Sequence, residues 1–201
     1  APGTESTWCT RVKNIVGATY AFELLTGNHE DDGAGNGWIG NFIQCLPDRL
    51  GVTGTYGSEY YFDRANARFI LAAAASVVNG INYDYNTVNG AHYLWMRDRI
   101  REAKNAGKWV IVGMHKNCFT PDATPCEIGP NFMNLLLAEP ADLVFQGHDH
   151  LYARSKQLSC VVVGSYNAGC VADADNLLTR GAGTVVVVTT GGNDIIHHYG
   201  R

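Results

Sequence analysis

Histidine and asparagine recur in three short segments, Gly27-Asn28-His29-Glu30, Val112-Gly113-Met114-His115 and Gly147-His148-Asp149-His150. The imidazole nitrogen and the amide oxygen are neutral donors suited to first-row divalent ions such as zinc, iron and manganese. A lone histidine is more often a satisfied structural residue than a ligand, and His92 is read in that way. Asn28, His115, His148 and His150 are read as metal ligands instead, because they recur as a set, each close behind an apolar run. His148 and His150 are two residues apart, which in an extended loop turns both to one side, to serve one ion or two adjacent ones, with Asp149 pointing away.

The apolar runs are the elements that must position these groups. Phe22–Thr26, Trp109–Met114 and Ala141–Gln146 read as buried strands that run directly into the three segments. Open α/β sheets gather ligand sites at the carboxyl ends of their strands, so the three loops are expected along one sheet edge. Tyr93, Met96, Ile100 and Ala103 fall at helical spacing with basic residues opposite, and Gly107 stands as a C-terminal stop. A second helix is expected over Pro130–Ala138, ended by Glu139-Pro140. Asp31–Gly57 is rich in glycine with little periodicity and reads as a long loop. Beyond residue 157, Cys160–Gly164, Thr184–Thr190 and Ile195–Tyr199 provide strands for a second sheet. His197 and His198 are adjacent, face opposite sides of a strand and are not read as a metal pair. Tyr56, Tyr60 and Tyr61 either border a cleft near the first segment or pack the core.

With 201 residues, 46% of them hydrophobic and 17% charged, the chain is large enough for one well-packed domain covering residues 1–201. No repeat or low-complexity linker divides it. A net charge of -4 and the lack of a basic cluster with interleaved aromatics argue against a nucleic-acid partner. Its longest apolar runs, around Phe69–Val78 and Val185–Val188, are far too short for a membrane helix, so no membrane partner is expected. The six cysteines form an even set without a Cys-x-x-Cys pair, which favours disulfides over a zinc ribbon. Pairing Cys118 with Cys126 and Cys160 with Cys170 closes two short loops and leaves Cys9 with Cys45, one of many connectivities the count allows. Disulfides imply an oxidising compartment, hence a secreted, extracellular or periplasmic protein. Ala1-Pro2-Gly3-Thr4 has neither a basic nor an apolar signal-peptide region, so a leader is expected to have been removed already, or the chain starts at an internal cut.

In that order, Gly-Asn-His-Glu, Val-x-x-His and Gly-His-x-His resemble the last three of five signature blocks in the purple acid phosphatase branch of the calcineurin-like metallophosphoesterases. The resemblance runs from about Trp8 to the last β segment. Cys45-Leu46-Pro47 and Val112–Lys116 also look like the secreted bacterial and fungal members. It implies an α/β fold, a two-sheet sandwich flanked by helices in four layers (α/β/β/α), with a dinuclear centre of Fe, Zn or Mn at one edge. The resemblance further implies that Asn28, His115 and His148 bind one metal and His150 the other. His29 then stabilises phosphoryl oxygens and protonates the leaving alkoxide, work suited to a group that titrates near neutrality. The reaction the resemblance implies is attack of a metal-activated hydroxide on a small phosphate mono- or diester. Glu30 either orients a neighbour or is a solvated loop carboxylate.

The two earlier blocks of that family, which supply carboxylates including the one bridging both metals, have no counterpart here. No aspartate precedes Asn28, and no Gly-Asp dipeptide occurs. Two divalent ions ~4 Å apart repel by roughly 16 kcal/mol at an effective dielectric of ~20, four times the unit-charge figure. Four neutral ligands do not offset that, so anionic ligands are expected from Asp31, Asp32, another carboxylate or sequence outside this chain. The fold is therefore expected to be N-terminally incomplete, with a missing N-terminal segment or a second polypeptide completing the centre. The segment by itself would hold one metal or none. The alternative is a catalytically silent secreted binding or structural protein on the same scaffold.

Overall fold

The computed structural model describes residues 4–31, 38–120, 125–163, 167–175 and 177–189. Its centre is a run of parallel strands, β3 (Ala67–Ala72), β6 (Trp109–Met114), β7 (Leu143–Gln146) and β10 (Thr184–Thr189), hydrogen-bonded in that order. Strands covered on both faces read as continuous apolar runs, as Trp-Val-Ile-Val-Gly-Met and Thr-Val-Val-Val-Val-Thr do here. Antiparallel wings extend the sheet on each side, with β1 (Thr53–Thr55) and β2 (Glu59–Arg64) beyond β3, and β8 (Tyr152–Leu158) and β9 (Val171–Asp173) beyond β10. The sheet has eight strands; β4 (Val77–Val78) and β5 (Ile81–Asn82) form a separate two-stranded ribbon.

Among the described residues, four α-helices accompany the strands: α1 (Glu5–Val16), α2 (Trp38–Cys45), α3 (Ala91–Asn105) and α4 (Pro130–Ala138). Parallel neighbours need crossover connections, and α3 links β3 to β6 while α4 links β6 to β7. Met96, Ile100 and Ala103 of α3 are fully buried, at the spacing that marked the helix in sequence, and Gly107 takes the left-handed conformation (φ 72°) just past its end. In α4, Phe132, Met133 and Leu135–Leu137 are buried, behind a proline at the first turn. A single core cluster runs from Cys9 and Val12 through Ile70, Val110 and Val112 to Leu136 and Val186.

The α/β class and the flanking helices are as expected. Local readings change towards the C-terminus. The C-terminal strands join the main sheet instead of forming a second one, because β10 inserts between β7 and β8 and its two neighbours share its hydrogen bonds. Residues 160–163 contribute no named strand; Cys160 is instead joined by a disulfide to Cys170. Ile195–Tyr199, with His197 and His198, lies outside the described residues.

Asp31–Gly57, read as a loop, contains α2 and β1. Trp38, Ile39, Phe42 and Ile43 do have helical spacing, hidden in sequence by the surrounding glycines. Trp8 of α1 packs edge-on against Phe22 (5.7 Å) and Phe42 (5.3 Å), and the Cys9–Cys45 disulfide joins α1 to α2. The other two disulfides are Cys118–Cys126 and Cys160–Cys170, so all three connect the expected partners. They fit an oxidising, extracellular setting. Among the described residues, no helix is long and apolar enough to cross a membrane.

At the start of the parallel strands an ionic cluster ties three elements together. Asp63 at the end of β2 accepts two hydrogen bonds from the Arg68 guanidinium (2.8 and 3.0 Å) and pairs with Lys108 (2.7 Å). Arg68 also reaches Glu102 on α3 at 3.3 Å and lies over the Tyr61 ring. The bonds from Arg68 hold the Asp63 carboxyl down to about 2. Nearby, the fully buried Asp142 accepts the Val110 backbone N–H (2.7 Å), fixing where β6 begins.

Candidate metal centre

The first His-bearing loop follows Phe22–Thr26, which forms no regular ladder but makes one parallel bridge, Leu25 to Gly57. Side chains take over where the ladder is absent. Tyr56 donates its hydroxyl to the Phe22 carbonyl (2.8 Å), Tyr60 donates to the Leu24 carbonyl (2.6 Å), and both the N–H and the hydroxyl of Thr26 donate to the Gly57 carbonyl. Tyr60 is fully buried. Tyr56 and Tyr60 are thus packing and anchoring groups, and Tyr61 lies under Arg68.

Beyond Thr26 the chain turns at once. Glu30 and Asp31 donate their N–H groups to the Gly27 carbonyl, and the Glu30 carboxylate accepts the Gly27 N–H at 3.2 Å. Glu30 therefore shapes the turn. Asn28 and His29 project from it and are exposed. Gly27 packs closely, since a Cβ there would come within 3.0 Å of the His115 ring and 3.1 Å of the Glu30 carboxylate, which would have to give by a few tenths of an ångström.

His115 follows β6 directly and His148 follows β7, so both loops leave the same ends of parallel neighbours. The Gly147 N–H donates to the His115 carbonyl (2.8 Å), stitching the two loops together. Gln146, buried at the end of β7, accepts from the N–H groups of Cys118 and Phe119 and so holds the chain leaving His115. Lys116 donates to the Ala75 carbonyl.

Three of the sequence-derived residues meet. His115 Nε2 lies 2.7 Å from Asn28 Oδ1, and the His115 and His148 rings are 5.3 Å apart, edge to face. Burial pushes the His115 imidazole down to about 4, and His148, His29, Lys116 and His150 push it the same way. The ring is therefore neutral at ordinary pH, the form that donates an electron pair to a cation. The contact is closed by a shared proton, and its imidazole nitrogen and amide oxygen are the donor types that suit a first-row divalent ion.

The Gly147–His150 turn departs from the extended loop expected. His148 adopts a left-handed backbone (φ 65°), the Asp149 N–H bonds to the Gly147 carbonyl, and the Leu151 N–H to that of Asp149. His148 is half-buried and His150 exposed, so the two are not presented alike. Asp31 turns one carboxylate oxygen to the Val77 N–H (3.0 Å), and Asp32 lies outside the described residues. His92 bonds the Glu59 carboxylate through Nδ1 (2.7 Å) beside Tyr83 and Tyr85, as a structural histidine.

A carboxylate not singled out in sequence does lie beside the cluster: Glu127 Oε2 is 3.5 Å from His148 Nε2. Its only sequence signal was its place directly after Cys126. Among the described residues, no three His, Cys, Asp or Glu side chains group as a metal site.

The His115 and His148 loops leave the carboxyl ends of parallel neighbours, the place where open α/β sheets hold their ligand sites. The chain belongs to the calcineurin-like phosphoesterase family, whose model matches residues 4–152. Among solved structures it is similar to purple acid phosphatase PPD1 from yellow lupin (Lupinus luteus) seeds, with a TM-score of 0.57 and 17% identity. That match covers 82% of this chain but 30% of the lupin one, so the chain spans less than a third of its relative. No curated protein matches it in sequence.

Proposed function

We propose that the chain carries part of the catalytic centre of a hydrolase for small phosphate mono- or diesters. The observation that carries this reading is the 2.7 Å approach of Asn28 Oδ1 to His115 Nε2, with the His148 ring beside it, in a chain of this family. Asn28, His115 and His148 hold one cation, and the exposed His150 offers its ring to a second. Bound metal ions would supply an activated water and neutralise charge on the phosphoryl oxygens.

His29 is the proposed proton donor. It is exposed beside Asn28, so a bound ester meets it on the solvent side of the ligands, and its proton passes to the leaving alkoxide. Glu30 keeps the turn closed so that Asn28 and His29 project from a fixed backbone.

The test is metal analysis of the purified protein with turnover of a chromogenic phosphate ester. Bound metal is expected, together with a drop of roughly 10²- to 10⁴-fold in kcat for His29→Ala. Protein that binds no metal and turns over no ester sinks the reading. That result would favour a silent binding scaffold.

A further inference from the structure

Glu127 has an arrangement that the ligand set does not explain. Its Oε2 is shut off from solvent with no hydrogen-bond partner, yet it faces His148 Nε2 at 3.5 Å. Burying a carboxylate oxygen is costly unless something compensates. The partner is itself under constraint, because His148 holds a left-handed backbone that a non-glycine residue keeps only where its surroundings demand it.

The backbone around Glu127 is fastened at several points. The Cys118–Cys126 disulfide ends one residue before it. Its own N–H donates to the carbonyl of Asn117 (2.9 Å), two residues beyond His115. Gly129 then turns the chain into α4 with φ 83°, where a Cβ would collide with Asn86. The carboxylate is thus delivered to His148 by the same loop that leaves His115.

We propose that Glu127 is the positioning residue of the centre: its carboxylate accepts the Nε2 proton of His148, fixing the ring so that Nδ1 faces the cation. This rests on the reading of His148 as a ligand. A carboxylate behind a ligating imidazole sets its tautomer and raises its basicity. Glu127 also brings negative charge close to an otherwise neutral donor set without occupying a coordination position.

The experiment uses the full chain, labelled with ¹⁵N for imidazole shifts in the metal-free protein and titrated with Zn²⁺ by calorimetry. The wild type is expected to keep the His148 proton on Nε2. Glu127→Ala is expected to give a mixed tautomer and roughly 10- to 100-fold weaker Zn²⁺ binding. Glu127→Gln retains an acceptor, so it should keep the tautomer and lose less affinity; it also serves if the alanine variant does not fold. An unchanged His148 tautomer in Glu127→Ala, or a wild-type proton on Nδ1, overturns the proposal alone. Zn²⁺ affinity unchanged in His148→Ala overturns the ligand reading and the proposal with it.

Discussion

Glu23 shows how a single side chain can set the pH response of a folded chain. Neither of its buried carboxylate oxygens has a hydrogen-bond partner, and burial pushes its carboxyl up to about 7, with Asp48 pushing the same way. The folded state therefore keeps a proton that the unfolded state releases near the ordinary 4.5. Stability from this group is full below that value and falls as pH rises through about 7. Glu23→Gln, which stays neutral, should unfold at higher urea than wild type at pH 7.5. We expect a gain of about 1 kcal/mol after allowing for solvent screening, shrinking to nothing by pH 4. Equal midpoints at both pH values would show that the carboxylate is compensated in a way its surroundings do not reveal. The substitution leaves the three His-bearing loops untouched, so Zn²⁺ affinity should stay at the wild-type value.

At the scale of elements, the centre is built by strands that end at the same level and by one turn too tight for a side chain. Gly27→Ala would drive a methyl group against the His115 ring and the Glu30 carboxylate. The flanking strands have little room to give, so the ring must shift by a few tenths of an ångström. We expect Zn²⁺ affinity, measured by competition with a chelator, to fall roughly tenfold while the urea midpoint changes little; displacements of this size are costly where geometry must be matched.

Strands β6 and β7, helices α3 and α4 and the meeting of Asn28 with His115 were legible in sequence. Long apolar runs and periodic helices carry their own signal, and three similar loops at strand ends carry a joint one. Helix α1 was missed because its buried face is Glu5, Cys9 and Val12, of which only Val12 reads as apolar packing. The segment Phe22–Thr26 looked like a strand but is held by tyrosine hydroxyls, which no alternation pattern encodes. Glu127 was missed because its position depends on a disulfide loop and on the approach of His148, and both arise only in the fold.

Across the whole molecule, the parallel strands have a structural end and a chemical end. The Asp63, Arg68 and Lys108 cluster and Asp142 fasten the start of β3 and β6, while the His115 and His148 loops leave the other end of the sheet. Asp63→Asn should lower stability at pH 7 by about 1 kcal/mol, the lowered carboxyl being discounted for its partial exposure. The loss should disappear as pH falls through about 2, since the stabilisation is present above the ordinary 3.8 and goes as Asp63 protonates. Zn²⁺ affinity should be unaffected, because additivity holds for well-separated sites; a parallel fall in affinity would mean that the two ends are coupled.

The 2.7 Å contact between Asn28 and His115 closes a span of 87 residues. Chain entropy opposes such a closure until the intervening pieces are already in place, and parallel pairing adds its own delay. Tyr56, Tyr60, β3 and α3 all lie inside that span. No local nucleus can assemble the donor pair ahead of the sheet, so the centre forms late, as a consequence of completed folding. A cation bound there would meet a finished architecture and would not seed one.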